Sequence, residues 1–229
     1  MLLPLDMPYR RHEARASSSK RENMSSTSHT NGSIANGTGG KSGQDDSSLP
    51  PAPEAILELV AACVRFVDTK YGAKLDFTSD TLSFVDQYIR DARADVKERP
   101  QTAGLVSAST GAYLGEVMRR TFGGHWYAEG DFESFRLQLS GVYLAFNPLG
   151  MMAEAIAEKE EAGSGAHFEV EDEDREAVKE KLEAIGVPED EFFLPTTRFD
   201  TLHLLVDTLR SRMEARGHGD VTFGPDDYK

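Results

Sequence analysis

Glu116, followed by Gly123-Gly124-His125-Trp126-Tyr127, is the densest gathering of chemistry-bearing side chains in the sequence. A carboxylate and an imidazole can move protons near neutral pH. An indole N–H and a phenol can line a recognition pocket, each offering an apolar body with one polar tip. Two readings of the cluster stay open. In one, Glu116, His125, Trp126 and Tyr127 bind a ligand or a partner. In the other, the paired glycines permit a tight turn and Trp126 plugs the core.

The remaining candidates carry less. Residues 35–42, Ala35-Asn-Gly-Thr-Gly-Gly-Lys41-Ser42, satisfy a relaxed phosphate-loop pattern with alanine in place of the first glycine. A working loop needs a buried strand before it and a helix after it, because the helix N-terminus holds the phosphates. Polar residues precede Ala35, and Gly43, Gln44, Asp45 and Asp46 follow, so nucleotide binding through Lys41 is a third and distant reading. The histidines His12, His29, His125, His167, His203 and His218 never fall three to five residues apart, so spacing supports no metal site. The acidic run Glu169–Asp174 lacks the glycine of a calcium loop and reads as the solvated start of a helix. Ser107 to Gly111 lacks the leading glycine of a nucleophile elbow. The single cysteine, Cys63, excludes an intrachain disulfide and sits beside Ala61 and Ala62 as a buried thiol would. No cofactor is expected.

Composition then bounds the partners. The 229 residues carry 25 basic and 39 acidic side chains, a formal net charge of −14. Such a surface repels nucleic acid and anionic membranes. No apolar run reaches membrane-spanning length. Residues 53–229 alone hold 19 basic and 34 acidic side chains, a net −15, so the acidity belongs there.

The elements that must position the cluster follow from periodicity. Residues 1–52 are predicted to be a disordered Ser/Thr/Gly-rich tail: between Ala16 and Ser48, 13 of 33 residues are Ser or Thr, too few apolar groups to offset ordering entropy. Met24 offers an alternative start after a mildly basic stretch, and no apolar stretch follows those charges as a secretory signal requires. Residues 53–229 are predicted to form a single α+β domain. Helices are expected over 53–72, 79–99 and 102–122, with Ser79 or Asp80 capping the second. Gly111 and Gly115 share one face of the third, which lets another backbone approach closely. Alternation over 135–139 and 142–146, with a short piece at 126–127, predicts a small antiparallel meander ending at Asn147-Pro148. Helices over 151–161, 171–185 and 197–216 follow, with a short strand over 166–170, and 220–229 is expected to be partly ordered at best.

Several words of the chain resemble those of a group of uncharacterised bacterial proteins. They are Leu75-Asp76-Phe77-Thr78-x-x-Thr81-Leu82, Gly111-Ala112-Tyr113-Leu114-Gly115-Glu116-Val117, and Gly123-Gly124-x-Trp126. The resemblance covers about residues 55–160. It implies a small α+β fold and a bacterial cytosolic setting, and brings no catalytic residue with it.

The functional expectation is a non-enzymatic, acidic, cytoplasmic module that binds a protein with a basic surface, in an adaptor, regulatory or toxin-neutralising role. The alternative is a small-ligand-binding protein or enzyme using a pocket near Glu116, His125, Trp126 and Tyr127.

Overall fold

The computed structural model describes residues 50–229. The expected tail up to Leu49, its phosphate-loop-like segment and the alternative start lie outside the described residues.

The first helix, α1 (Glu54–Tyr71), starts behind Pro53. It stops at Gly72, whose φ of 65° and N–H bond to the Asp68 carbonyl close the last turn. The second, α2 (Leu82–Glu98), turns Leu82, Val85, Ile89 and Ala92 inward and ends before Pro100. The third, α3 (Ala103–Phe122), is buried at nearly every position from Val106 to Arg119, so it forms the axis of the fold.

Four short strands follow: β1 (Gly124–Tyr127), β2 (Arg136–Leu139), β3 (Leu144–Phe146) and β4 (Glu169–Val170). They form one antiparallel sheet in chain order. Between β3 and β4 runs α4 (Pro148–Ala157), and α5 (Arg175–Glu183), α6 (Glu189–Phe192) and α7 (Pro195–Ala215) complete the chain. The result is the α+β class that periodicity predicts, mostly helices around a small antiparallel sheet. One continuous apolar cluster joins Ile56, Leu82, Tyr113, Phe146, Met152 and Leu205, drawn from five helices and the sheet.

The glycine face of α3 does what its spacing predicts. A Cβ on Gly111 would lie 2.5 Å from the Leu149 Cα and 2.6 Å from the Pro148 carbonyl oxygen, so the start of α4 packs backbone to backbone there. At Gly115 the neighbour is a side chain, the Trp126 ring, which the same imagined atom would overlap.

Four local expectations are corrected. Asn147-Pro148 does not merely end the meander. It starts α4: the Asn147 Oδ1 accepts the N–H groups of Leu149 (2.9 Å) and Gly150 (3.2 Å), and proline suits the first turn. Neither Ser79 nor Asp80 caps α2, because a 3₁₀ turn over Ser79–Thr81 precedes it without a side-chain cap. Asp76 organises that turn by accepting from the Thr78 N–H (3.0 Å) and the Thr81 hydroxyl (3.2 Å). The helix expected from Glu171 begins at Arg175, after a 3₁₀ turn whose Asp174 is only 3% exposed. Residues 220–229 are tied down: the Phe223 N–H donates to the Ser140 carbonyl (2.9 Å), and Tyr228 reaches into the β2–β3 hairpin.

The helix contact makes a matched test. Gly111→Ala should destabilise the protein by about 1–3 kcal/mol, the usual range for overpacking against atoms that cannot move aside. Gly104, in the exposed first turn of α3, has nothing within 4 Å of its imagined Cβ. Gly104→Ala should therefore leave stability unchanged or raise it by up to ~1 kcal/mol. Urea denaturation of both variants measures the difference, and equal midpoints would remove the close approach as a constraint.

Candidate functional site

The turn between α3 and β1 is built from its two glycines. Gly123 ends the helix with a φ of 76°, its N–H bonded to the Arg119 carbonyl (2.9 Å). Gly124 lies so close to β2 that a Cβ would be 2.5 Å from the Gln138 carbonyl oxygen. This turn folds β1 back beside α3. Successive strand residues then point to opposite faces. Trp126 lies on α3 over Gly115, and its neighbours His125 and Tyr127 point the other way.

On the α3 side, Trp126 Nε1 donates to Glu116 Oε1 at 2.7 Å. The Glu116 carboxylate, 1% exposed, also takes a bidentate pair from Arg119, through Nε (2.8 Å) and Nη2 (2.9 Å). Arg119 spends its remaining nitrogen on the Pro50 carbonyl (3.0 Å), which anchors the chain entering α1. Arg120 stands 3.7 Å from the second carboxylate oxygen, with its guanidinium 3.8 Å over the Phe77 ring. Charge-assisted, two-pronged bonds of this kind are the strong ones. The arrangement gives Glu116 a tethering role, since donors already occupy both of its oxygens.

Phe77 is held from the same helix. Its φ of 64° is unusual for a bulky residue. Tyr113 accounts for it: its hydroxyl accepts the Phe77 N–H (3.0 Å) and pairs with the Thr81 hydroxyl (2.9 Å), while the two rings pack tilted with centroids 5.3 Å apart. The three words that carry the sequence resemblance thus meet one another around α3.

On the opposite face of β1, His125 is 8% exposed and its ring meets the edge of Tyr228 at 5.9 Å. Burial pulls its pKa below the usual histidine value, against a hydrogen bond with the Gln138 side chain and the charge of Asp227. Tyr127 is exposed, its hydroxyl 3.4 Å from Glu129 Oε2. The structure therefore brings Glu116 and Trp126 together and leaves His125 and Tyr127 apart from them.

An open cleft of about 220 Å³ lies elsewhere, where Ser107 and Ala108 of α3 face Phe132, Asn147, Gly150 and Ser164. None of the four candidate residues lines it. One polar residue on its wall, Asn147, is already committed to the start of α4 and to the carbonyls of Phe132 (2.8 Å) and Ser164 (3.2 Å).

Two further charged groups escape sequence reasoning. Glu154 and Arg198 form a buried pair at 2.7 Å, although 44 residues separate them. Burial raises the Glu154 pKa despite the pull of Arg198, and the Ser164 hydroxyl donates to its other oxygen (2.9 Å). Asp174 is gripped by Arg212 (2.6 Å) and Arg216 (2.9 Å) of the last helix and its end. Glu171, Glu173 and Asp174 bring carboxylate oxygens within 4.8 Å of one another. The same arginines offset two of those three charges, since Arg216 also meets Glu173 at 2.6 Å.

Two outcomes follow for these side chains. Glu116→Gln should destabilise the fold by about 3–5 kcal/mol, because it leaves a buried Arg119 charge uncompensated. Trp126→Phe, which loses one hydrogen bond and keeps the ring, should cost only ~1–2 kcal/mol. Equal small losses in thermal denaturation would mean that Glu116 is not the tether. Cys63, fully buried, has its thiol pushed up to about 12 by burial. It should resist a thiol reagent at pH 8 in the native protein and react promptly in urea; rapid native labelling would contradict its burial. No family model, curated protein or solved structure matches this chain.

Proposed function

We propose that residues 53–229 form a binding module, without catalysis of its own, that takes a protein with a basic surface as partner. An adaptor, regulatory or toxin-neutralising role in the bacterial cytosol would use such a module. The observation that carries this reading is how the charges are distributed. Against 34 acidic side chains the segment has only 19 basic ones. Several of those are spent on buried carboxylates: Arg119 on Glu116, Arg198 on Glu154, Arg212 and Arg216 on Asp174. Exposed carboxylates such as Glu129, Asp131 and Glu133 of the β1–β2 connection are left facing water. A surface with one dominant sign raises the encounter rate with an oppositely charged partner and rejects like-charged ones.

The small-ligand or enzyme reading drew on Glu116, His125, Trp126 and Tyr127 acting together. Their geometry favours the binding module instead, since Glu116 is consumed by Arg119 and Trp126 while His125 and Tyr127 lie across the strand. Among the described residues no helix is long and apolar enough to cross a membrane.

The test is capture of partners by the full chain from native cells at low and high salt. A companion variant carries Glu129→Lys, Asp131→Lys and Glu133→Lys. A basic protein should be retained at low salt, released at high salt, and lose about tenfold or more in association rate with the variant. Capture of nothing at low salt, or a partner indifferent to both salt and the charge reversal, would rule the reading out.

A further inference from the structure

His125 and the last residues of the described chain form a device that the binding reading does not use. After α7, the segment 218–229 doubles back over the sheet. The Phe223 N–H donates to the Ser140 carbonyl (2.9 Å). The Tyr228 hydroxyl donates to the Leu139 carbonyl (2.7 Å) and accepts the Leu144 N–H (3.1 Å), bridging the two strands of the β2–β3 hairpin. Its ring stacks on Tyr143 at 4.6 Å, and Phe223 closes edge-on against both. The segment is thus a strap, held at one phenol and one amide.

Under the strap lies His125. Among the described residues its Nε2 is buried with no hydrogen-bond partner. That is tolerable for a neutral ring, whose bare nitrogen has only an unused lone pair. It is costly for an imidazolium, which would hold a second N–H and a charge away from water.

We propose that His125 is a proton-operated release for the strap 218–229: protonation at Nε2 expels the ring toward water and frees Tyr228 from the β2–β3 hairpin.

The groups facing His125 decide the sign. Gln138 of β2 is a neutral amide that bonds the ring. Tyr228 is a phenol. Asp227 is the one carboxylate of the strap acting on the ring, and it favours the charged form. It is itself exposed and bonded to its own Gly224 N–H (2.7 Å), so water screens it. Glu169 and Glu171, at the β4 edge, act on Tyr228. Arg210 of α7 comes near the hairpin tip at Gly141. Burial outweighs the Gln138 and Asp227 contributions, so the closed state binds the proton less well than the open one. The strap is then fully held above the ordinary histidine value of about 6.5 and loosens as pH falls below it. One proton can change the open population by at most about tenfold per pH unit.

Amide protection factors in the full chain test this at pH 7.5 and 5.5, for the wild type, His125→Phe and Tyr228→Phe. In the wild type, protection at Phe223 should fall several-fold at pH 5.5 while α3 stays protected. His125→Phe should abolish the pH dependence. Tyr228→Phe should show weak protection at both pH values. If His125→Phe does not fold, the ring titration of His125 followed by NMR in the wild type must coincide with the loss of strap protection. A strap equally protected at both pH values, a pH dependence that survives in His125→Phe, or a ring that titrates without loosening the strap would overturn the proposal.

Discussion

At Gly111 the backbone of α3 comes so close to α4 that a single methyl group would collide with the Leu149 Cα and the Pro148 carbonyl. The rest of the architecture depends on that approach. It fixes where Asn147 must begin α4, and hence where β3 ends. Gly115, one turn further on, leaves room for the Trp126 ring. The ring in turn places the indole N–H on Glu116 and pins β1 alongside the helix. The glycines of α3 would weaken an isolated helix. They are stabilising here only because two partners pack into the space that they leave.

Several charged groups at buried positions tie distant parts of the chain together. Arg119 joins α3 to Pro50, Arg198 joins α7 to α4, and Arg216 joins the end of α7 to the turn before α5. Removing water from such charges costs several kcal/mol per ion, so the net stabilisation from each pair is small. What they supply is a penalty for wrong arrangements, because a misplaced element would strand a buried charge. The same pairing leaves the acidic excess on the surface, which links the internal chemistry to the proposed choice of partner.

Much of this was legible in the sequence, and the failures have physical reasons. Helical periodicity located α1, α3 and α7, and alternation located the meander. The four-residue spacing of Gly111 and Gly115 identified the contact face. Strand geometry splits the candidate cluster: residues 125, 126 and 127 are consecutive in β1, so they cannot all share one face. The sequence pattern marks only 126–127 as a strand piece, so the alternation that turns His125 away from Trp126 is not visible there. The Glu154–Arg198 pair and the Tyr228 anchor had no local signal at all, since their partners lie 44 and more than 80 residues away. Asn147-Pro148 was ambiguous because the same pair can end a strand or open a helix. The words Leu75–Leu82, Gly111–Val117 and Gly123–Trp126 converge through Tyr113 and Glu116, which gives those words a structural meaning.

Seated against α4 through its glycine face, α3 should be the last part of the fold to open. Native-state hydrogen exchange in increasing urea measures this residue by residue. The amides of Ala112 to Met118 should exchange only through global unfolding, with a free energy equal to that from denaturation and higher than in α5. An α3 that opens at lower free energy than α1 or α7, while those helices remain protected, would contradict the account.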